Sequence, residues 1–228
     1  RGVRPLNLTL RPAFVYLSLM FNSKRVCIFV DGENMRHAIV ELFPTPIFNE
    51  FDYLPKNADW TKFFDWITME SAGEDSERVR AYWYVVQNLD CAPFNVNSAR
   101  KDVVHIERIL SWDDECKRIL AATPAKDKDR KMQYLAEELL DRQFAMEKRF
   151  GGWTNIQNAI ASKSISIEFR RAGAIRYNLF KKSLGSEKAV DVKLATDLIK
   201  LKDIYDVAVI LSGDQDYVPA VDVIKDYG

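Results

Sequence analysis

Two apolar segments of this 228-residue sequence each run directly into a carboxylate, and this arrangement most constrains the fold. The segment YDVAVILSGD (205–214) has no polar face, which predicts a strand covered on both sides in a parallel sheet. The segment RVCIFVD (25–31) predicts a second buried strand that ends in Asp31. Ligands bind at the carboxyl ends of parallel strands. If the two strands are neighbours at the sheet centre, Asp31, Asp214 and Asp216 converge on one pocket.

Helical and strand patterns alternate along the rest of the chain. Helices are predicted at 33–43, 59–70 and 189–203, and strands at 77–88 and 164–175. Between about 98 and 162 the sequence is charged and helical, with a buried face predicted at Met132, Leu135, Leu139, Leu140 and Phe144. This order predicts an α/β fold, a Rossmann-like parallel sheet with helices on both faces and a helical insertion.

Composition narrows the class of protein only in part. The 33 basic and 33 acidic residues cancel, so the total charge argues neither for nor against a nucleic-acid partner. The three cysteines lack the paired spacing of a zinc site or a disulfide framework, which favours a reducing, cytoplasmic compartment. The N-terminal apolar stretch is too short to span a bilayer, and no membrane partner is expected. Residues 1–23 are treated as an extension that need not be native, and 24–228 as a single domain.

Further oxygen-bearing side chains lie near the predicted pocket. Asp191 opens the helix before the last strand, while Glu33 and Asn34 follow Asp31 in its turn. Two adjacent carboxylates repel each other unless a cation or a neutralising neighbour lies close by. Mg²⁺ and Mn²⁺ prefer such oxygen ligands, whereas the two histidines of the chain lie far from the acidic turns in the sequence. As an alternative, Asp214 and Asp216 would simply form a turn, but this does not explain why Asp31 ends an equally apolar strand.

Three motifs together resemble a known family. FVDGENMR (29–36), KAVDVKLATDLI (188–199) and VILSGDQDYVPAV (209–221) resemble the NYN domain of the LabA/DUF88 type, a branch of the PIN-like nucleases. The resemblance extends over roughly 25–228 and implies a metal-dependent endoribonuclease that uses Mg²⁺ or Mn²⁺ to cut RNA. The family typically continues into another strand after the final glycine, so the sequence is expected to be an incomplete version of it.

The resemblance also assigns roles to individual positions. It implies that the catalytic and metal-binding groups are Asp31, Asn34, Asp191, Asp214 and Asp216, of which Asn34 alone is not a metal ligand. Asp197 matches a further helical acid and is a possible additional metal ligand, although it stands six residues after Asp191 and has a solvated helix charge as its alternative. Lys188 and Ser212 match polar positions that would contact phosphate or support the acids.

A basic strip extends into the second motif and suggests how substrate is held. Tyr177 and Phe180 are interleaved with it as aromatic side chains that would stack on bases, and its basic residues are Arg170, Arg171, Arg176, Lys181, Lys182, Lys188 and Lys193. The strip leads directly into the acidic segment, which favours single-stranded or structured RNA as the partner. A solvated loop whose aromatic residues pack inward is the alternative.

Two other functions remain open at the level of sequence. A catalytically silent or partner-regulated NYN module would bind RNA or protein, with the helical insertion as the surface for a protein partner or a homodimer. A haloacid-dehalogenase-like phosphatase also places an Asp after its first strand. That enzyme needs a second Asp two residues later, where this chain has Glu33, and it needs a Ser or Thr after the second strand, which YVVQN lacks.

Overall fold

The computed structural model describes residues 23–42, 54–55, 58–91 and 102–227. In these ranges the strands are β1 (Lys24–Asp31), β2 (Ser76–Asp90), β3 (Ile167–Asn178), β4 (Ser183–Lys188) and β5 (Val207–Leu211). The α-helices are α1 (Gly32–Leu42), α2 (Trp60–Ala72), α3 (Val103–Leu110), α4 (Asp114–Ala122), α5 (Lys128–Lys163), α6 (Val190–Lys200) and α7 (Val218–Asp226). Phe43, residues 1–22 and the start of the predicted insertion lie outside the described residues.

The strands form one sheet in the order β4-β3-β2-β1-β5. All neighbours are parallel except β3 and β4, which are antiparallel. The register pairs Val30 with Leu211, so the carboxyl ends of β1 and β5 lie side by side. This confirms the predicted α/β class and brings the Asp31 and SGDQD turns to the same edge of the sheet.

Helices cover both faces of the sheet, as the strand pattern predicts. Along β1, Val26, Ile28 and Val30 pack into one core with side chains of α2 and α5. The alternate residues Cys27 and Phe29 pack into the opposite core with α6. Because both faces of β1 are buried, its continuous apolar run is the pattern expected of a central parallel strand.

In the described part of the chain between β2 and β3, where the helical insertion is predicted, lie the three α-helices α3 to α5. On the 36-residue α5, Met132, Leu135, Leu139 and Leu140 are buried as predicted. Phe144, however, is 54% exposed. Burial continues instead at Met146, Trp153 and Ile160, which follow Leu139 at seven-residue intervals. Phe144 stands five residues after Leu139 and two before Met146, which places it about 140–160° around the helix from this stripe.

Two features of the sheet differ from the sequence prediction. β5 is an edge strand whose five residues are only partly buried, so its apolar composition does not reflect full coverage on both sides. β4 has no counterpart in the predicted elements, because SLGSEK contains two serines and a glycine and lacks the β-branched residues typical of strands. Its pairing with β3 depends on tertiary context, which periodicity does not reveal.

No helix within the described ranges is long and apolar enough to cross a membrane.

The first residue of α1 has no room for a side chain. A Cβ atom on Gly32 would lie 2.4 Å from the carbonyl oxygen of Tyr84 and 2.9 Å from Cγ1 of Val85. We predict that Gly32→Ala displaces the β1–α1 turn and lowers the free energy of unfolding by about 1–3 kcal/mol, measured by urea denaturation. Gly151→Ala is the matched control, because nothing lies within 4 Å of a Cβ in the middle of α5. Equal stability of the two variants would contradict the prediction.

Candidate active site at the carboxyl edge of the sheet

Asp31 is the buried centre of the site. It is the last residue of β1, and only 1% of its surface is exposed. Its Oδ1 atom accepts a hydrogen bond from the backbone N–H of Asn34 at 3.1 Å. Its Oδ2 atom accepts from Asn34 Nδ2 at 2.7 Å, Ser212 Oγ at 2.8 Å and the Tyr217 hydroxyl at 3.2 Å. These donors replace the water that a buried carboxylate loses.

The turn after β5 is tied to Asp31 through two polar side chains. Ser212 donates to Asp31 and accepts the backbone N–H of Asp214 at 3.0 Å. The amide oxygen of Asn34 accepts the backbone N–H of Gly213 at 3.4 Å. The predicted site residues Asn34 and Ser212 therefore act here as connectors that hold the β1 and β5 turns together.

Within the SGDQD turn, both acids are exposed. Asp214 accepts the backbone N–H of Asp216 at 3.0 Å and caps the short 3₁₀ helix Gln215–Tyr217. The alternative interpretation of these acids as turn residues thus describes part of what Asp214 does. Among the described residues, its other carboxylate oxygen accepts no hydrogen bond, which leaves it available to a ligand.

Asp191 enters the site from the first turn of α6. Ala189, which lies directly before α6 and two residues before Asp191, has a φ of 71°, a left-handed conformation that is uncommon for a residue with a side chain. Such outliers concentrate at functional sites because the surrounding structure must hold them in place. Asp191 Oδ1 accepts the hydroxyl of Tyr217 at 2.8 Å, so one tyrosine contacts both Asp191 and Asp31.

The acids of the site perturb one another electrostatically. The pKa of Asp191 is raised by burial and by the negative charges of Asp31, Asp214 and Asp216. The pKa of Glu187, near the end of β4, is raised to about 8 by burial and by the charges of Asp31, Glu33 and Asp191. These shifts indicate that the cluster carries more negative charge than its basic neighbours balance.

Glu187 is the site residue that sequence reasoning missed. It stands directly before the second motif, which begins at Lys188. It belongs to β4, the strand that periodicity did not predict. Once β4 pairs with β3, Glu187 lies opposite Ile175 in the ladder. The only signal in the sequence was its position four residues before Asp191.

Glu33, in the turn after Asp31, behaves differently from Glu187. Burial opposes its ionisation, but hydrogen bonds from Arg36 and the nearby charges of Arg36 and His37 hold its pKa below the ordinary value. Glu33 is therefore an ion-paired carboxylate at neutral pH. It is poorly suited to the acid/base role that a haloacid-dehalogenase-like phosphatase requires of this position.

Asp197 does not join the acidic cluster. It is buried on α6 and accepts hydrogen bonds from Arg170 Nη1, from Lys193 Nζ at 2.9 Å and from the Tyr84 hydroxyl at 3.2 Å. Burial opposes its ionisation, but Lys193 and Arg170 outweigh that effect and lower its pKa. The structure places this acid, a possible metal ligand in the sequence prediction, in a neutralised structural network.

Two arginines of the predicted basic strip make ion pairs and hydrogen bonds within the fold. Arg170 pairs with Glu168 and Asp197 and covers the ring of Tyr82, while Arg171 donates to Gln157 and Asn158 on α5.

Among the remaining residues of the strip, some are paired or buried and others are exposed. Arg176 lies 3.5 Å from Asp90, and Tyr177 is only 9% exposed within the core. The ring of Tyr177 thus lacks the open face that the predicted base-stacking role requires. Lys181, Lys182 and Lys188 are exposed, and their role in phosphate contacts stays a prediction.

The donor set of the site suits a hard divalent cation, although the described residues form no preassembled metal centre. Among the described residues, no three His, Cys, Asp or Glu side chains are arranged to hold a metal ion. The acids nevertheless offer the oxygen atoms that Mg²⁺ and Mn²⁺ prefer. The raised pKa values of Asp191 and Glu187 show a charge excess that a cation would relieve. The residues therefore fit a divalent cation by chemistry and charge.

A parallel sheet with acids gathered at the carboxyl ends of β1 and β5 is consistent with the PIN-like class of α/β nuclease folds. The model of the NYN domain matches residues 117–228. The chain therefore carries an NYN domain, and NYN domains belong to the PIN-like nuclease superfamily. This confirms the family resemblance, whereas the LabA/DUF88 subtype stays a prediction.

The match covers β3 to β5 and the acids Asp191, Asp214 and Asp216, but not the strand that carries Asp31. The sheet itself brings β1 against β5. The family match also argues against a haloacid-dehalogenase-like phosphatase. Comparison with curated proteins and with solved structures gives no match.

The charge excess at Glu187 generates a pH-dependent prediction for the metal-free protein. Because its folded-state pKa is raised to about 8, Glu187 favours folding while it is protonated. This stability is fully present below the unfolded pKa and is lost as pH rises through the folded value. We predict that Glu187→Gln flattens the fall in stability between pH 5 and 8 in EDTA. The gain at pH 8 should be on the order of 1–3 kcal/mol after solvent screening, measured by urea denaturation.

Glu168→Gln is the matched control for this experiment. Burial opposes ionisation of Glu168, but Arg170 and Arg80 lower its pKa overall, so its charged form stabilises the fold. Its neutralisation should destabilise the protein at pH 8. If the stability of Glu187→Gln depends on pH as that of the wild type does, the charges of the acidic cluster do not shift the pKa of Glu187.

Proposed function

We propose that this protein is a metal-dependent endoribonuclease of the LabA/DUF88 type that hydrolyses RNA phosphodiester bonds at the carboxyl edge of its sheet. The observation that carries the proposal is the convergence of Asp31, Asp191, Asp214 and Asp216 from three separate segments. The NYN match supports RNA as the substrate class. Mg²⁺ or Mn²⁺ is the proposed cofactor, and the cytoplasm is the proposed location.

Each residue of the site has a distinct part in this proposal. A bound divalent cation would activate water and neutralise phosphate charge. Asp31, Asp191, Asp214 and Asp216 would hold it through carboxylate oxygens. Asn34 and Ser212 keep Asp31 oriented and join the two turns. Pre-organisation of this kind removes the reorganisation that loose carboxylates would need before the reaction.

Substrate would be held by the exposed lysines next to the site. Lys188 stands at the end of β4, beside Glu187 and three residues before Asp191, and Lys181 and Lys182 lie in the β3–β4 connection. Their charges supply the phosphate contacts that give nucleic-acid binding its salt dependence.

A partner-regulated or silent NYN module is the second candidate. It is favoured by the absence of a preassembled metal centre among the described residues and by the capping role of Asp214. In that case the helices α3 to α5 would provide the surface for a protein partner or for a homodimer. Loss of cleavage with RNA binding retained is the result that distinguishes this function from the nuclease.

The nuclease proposal predicts a specific effect of Asp214→Asn. The substitution removes one negative charge at an exposed position without changing side-chain volume, so the fold should be retained in thermal unfolding. Cleavage of a labelled single-stranded RNA in Mn²⁺ or Mg²⁺ should fall by about 100-fold or more, as expected when a group acts in the transition state. EDTA should abolish wild-type cleavage.

Asp129→Asn, an exposed acid at the start of α5, is the control and should cleave as the wild type does. Cleavage that survives both EDTA and Asp214→Asn would overturn the proposed chemistry. Absence of cleavage in the wild type, with metal and RNA binding intact, would instead favour the regulated module.

The lysine surface predicts a change in the salt dependence of RNA binding. Replacing both Lys181 and Lys182 by Gln should weaken binding and lower the slope of log K against log salt by about 1 to 2, because each lysine releases about one counterion. Fluorescence anisotropy at several salt concentrations measures this slope. Lys126→Gln, near α5, is the control, and an equal effect of both changes would contradict a local RNA path.

A further inference from the structure

Among the described residues, the side chain of Tyr217 contacts both Asp31 and Asp191 through its hydroxyl. Its hydroxyl lies 3.2 Å from Asp31 Oδ2 and 2.8 Å from Asp191 Oδ1. Asp31 ends β1, whereas Asp191 lies on α6, and the tyrosine itself ends the 3₁₀ turn that carries Asp214 and Asp216. Three separate segments of the chain thus meet at one oxygen atom.

The ring and the hydroxyl of Tyr217 have different environments. The side chain is 97% buried, and the ring packs in the core formed by α6 and α7. A phenylalanine ring would fill the same space, so packing alone does not require the hydroxyl. Burial of a hydroxyl is costly unless it finds a partner, and both of its partners here are carboxylates of the acidic cluster.

The hydrogen bonds of Tyr217 differ from an ordinary buried hydrogen bond because the two acids that accept them repel each other. The charges of Asp31, Asp214 and Asp216 act on Asp191 and oppose its ionisation together with burial. Without a shared donor, repulsion would favour conformations in which Asp191 turns away from Asp31. The Tyr217 hydroxyl lies within hydrogen-bond distance of both carboxylates, and its single proton is shared between them or donated to one at a time, which offsets part of their repulsion.

We propose that Tyr217 is a positioning residue that sets the separation of Asp31 and Asp191 for a divalent cation. This inference rests on the proposed metal-dependent function. Groups that orient metal ligands through hydrogen bonds typically change metal affinity by about 10- to 100-fold when they are removed. Tyr217 acts through the two acids and need not contact RNA.

Tyr217→Phe tests the proposal through Mn²⁺ binding, measured by isothermal titration calorimetry on the full chain without RNA. We expect the dissociation constant for Mn²⁺ to rise by about 10-fold or more, with circular dichroism unchanged. The readout is independent of catalysis, so a slow or inactive enzyme does not obscure it.

Tyr205→Phe is the matched control. Tyr205 is buried in the same core, and its hydroxyl donates to the backbone carbonyl of Leu198 at 2.6 Å. Both substitutions remove one buried hydroxyl, but only Tyr217 contacts the acids. A purely structural role predicts that both variants lose stability and bind Mn²⁺ as the wild type does, and this result would overturn the inference.

The titration also separates this inference from the function on which it rests. Equal Mn²⁺ affinity of the wild type and Tyr217→Phe overturns the role of Tyr217 and leaves the metal-dependent nuclease standing. A wild-type protein that binds neither Mn²⁺ nor Mg²⁺ overturns the metal-dependent function itself, and the role of Tyr217 with it. Weaker binding in Tyr217→Phe but not in Tyr205→Phe supports both.

Discussion

The buried carboxylate of Asp31 is the constraint on which the site depends. Removing an ionised group from water costs several kcal/mol unless hydrogen bonds replace its hydration. The donors come from Asn34 in the following turn, from Ser212 after β5 and from Tyr217 at the start of α7. Satisfying one charge at the end of β1 therefore fixes the relative positions of segments that are up to 186 residues apart in sequence.

The sheet makes this arrangement possible through its register. Because β1 and β5 are parallel neighbours, both turns leave the sheet at the same height, and α6 begins close to them. The antiparallel strand β4 then contributes Glu187 to the same edge. The acids thus come from elements that share no local sequence, which explains why a cluster of this kind needs the complete fold.

The sequence predicts the parts of this site that obey general rules. Apolar strands ending in acids led to Asp31 and the SGDQD turn, because carboxyl ends of parallel strands meet at one edge. Glu187 was not predictable in this way, since β4 forms by pairing with β3 and lacks a strand-like composition. The burial of Tyr177 and the ion pairs of Arg170 likewise follow from which face of β3 each residue occupies. A basic strip in the sequence does not show that face.

Asp191 and Asp197 show how the charges around an acid distinguish a functional residue from a structural one. Both acids lie on α6, and their six-residue spacing places them on different faces of the helix. Asp197 is buried beside Arg170 and Lys193, which lower its pKa. Asp191 is surrounded by other acids, and its pKa is raised. A carboxylate whose charge the protein neutralises supports the fold, whereas one left among like charges is available to a cation from solution.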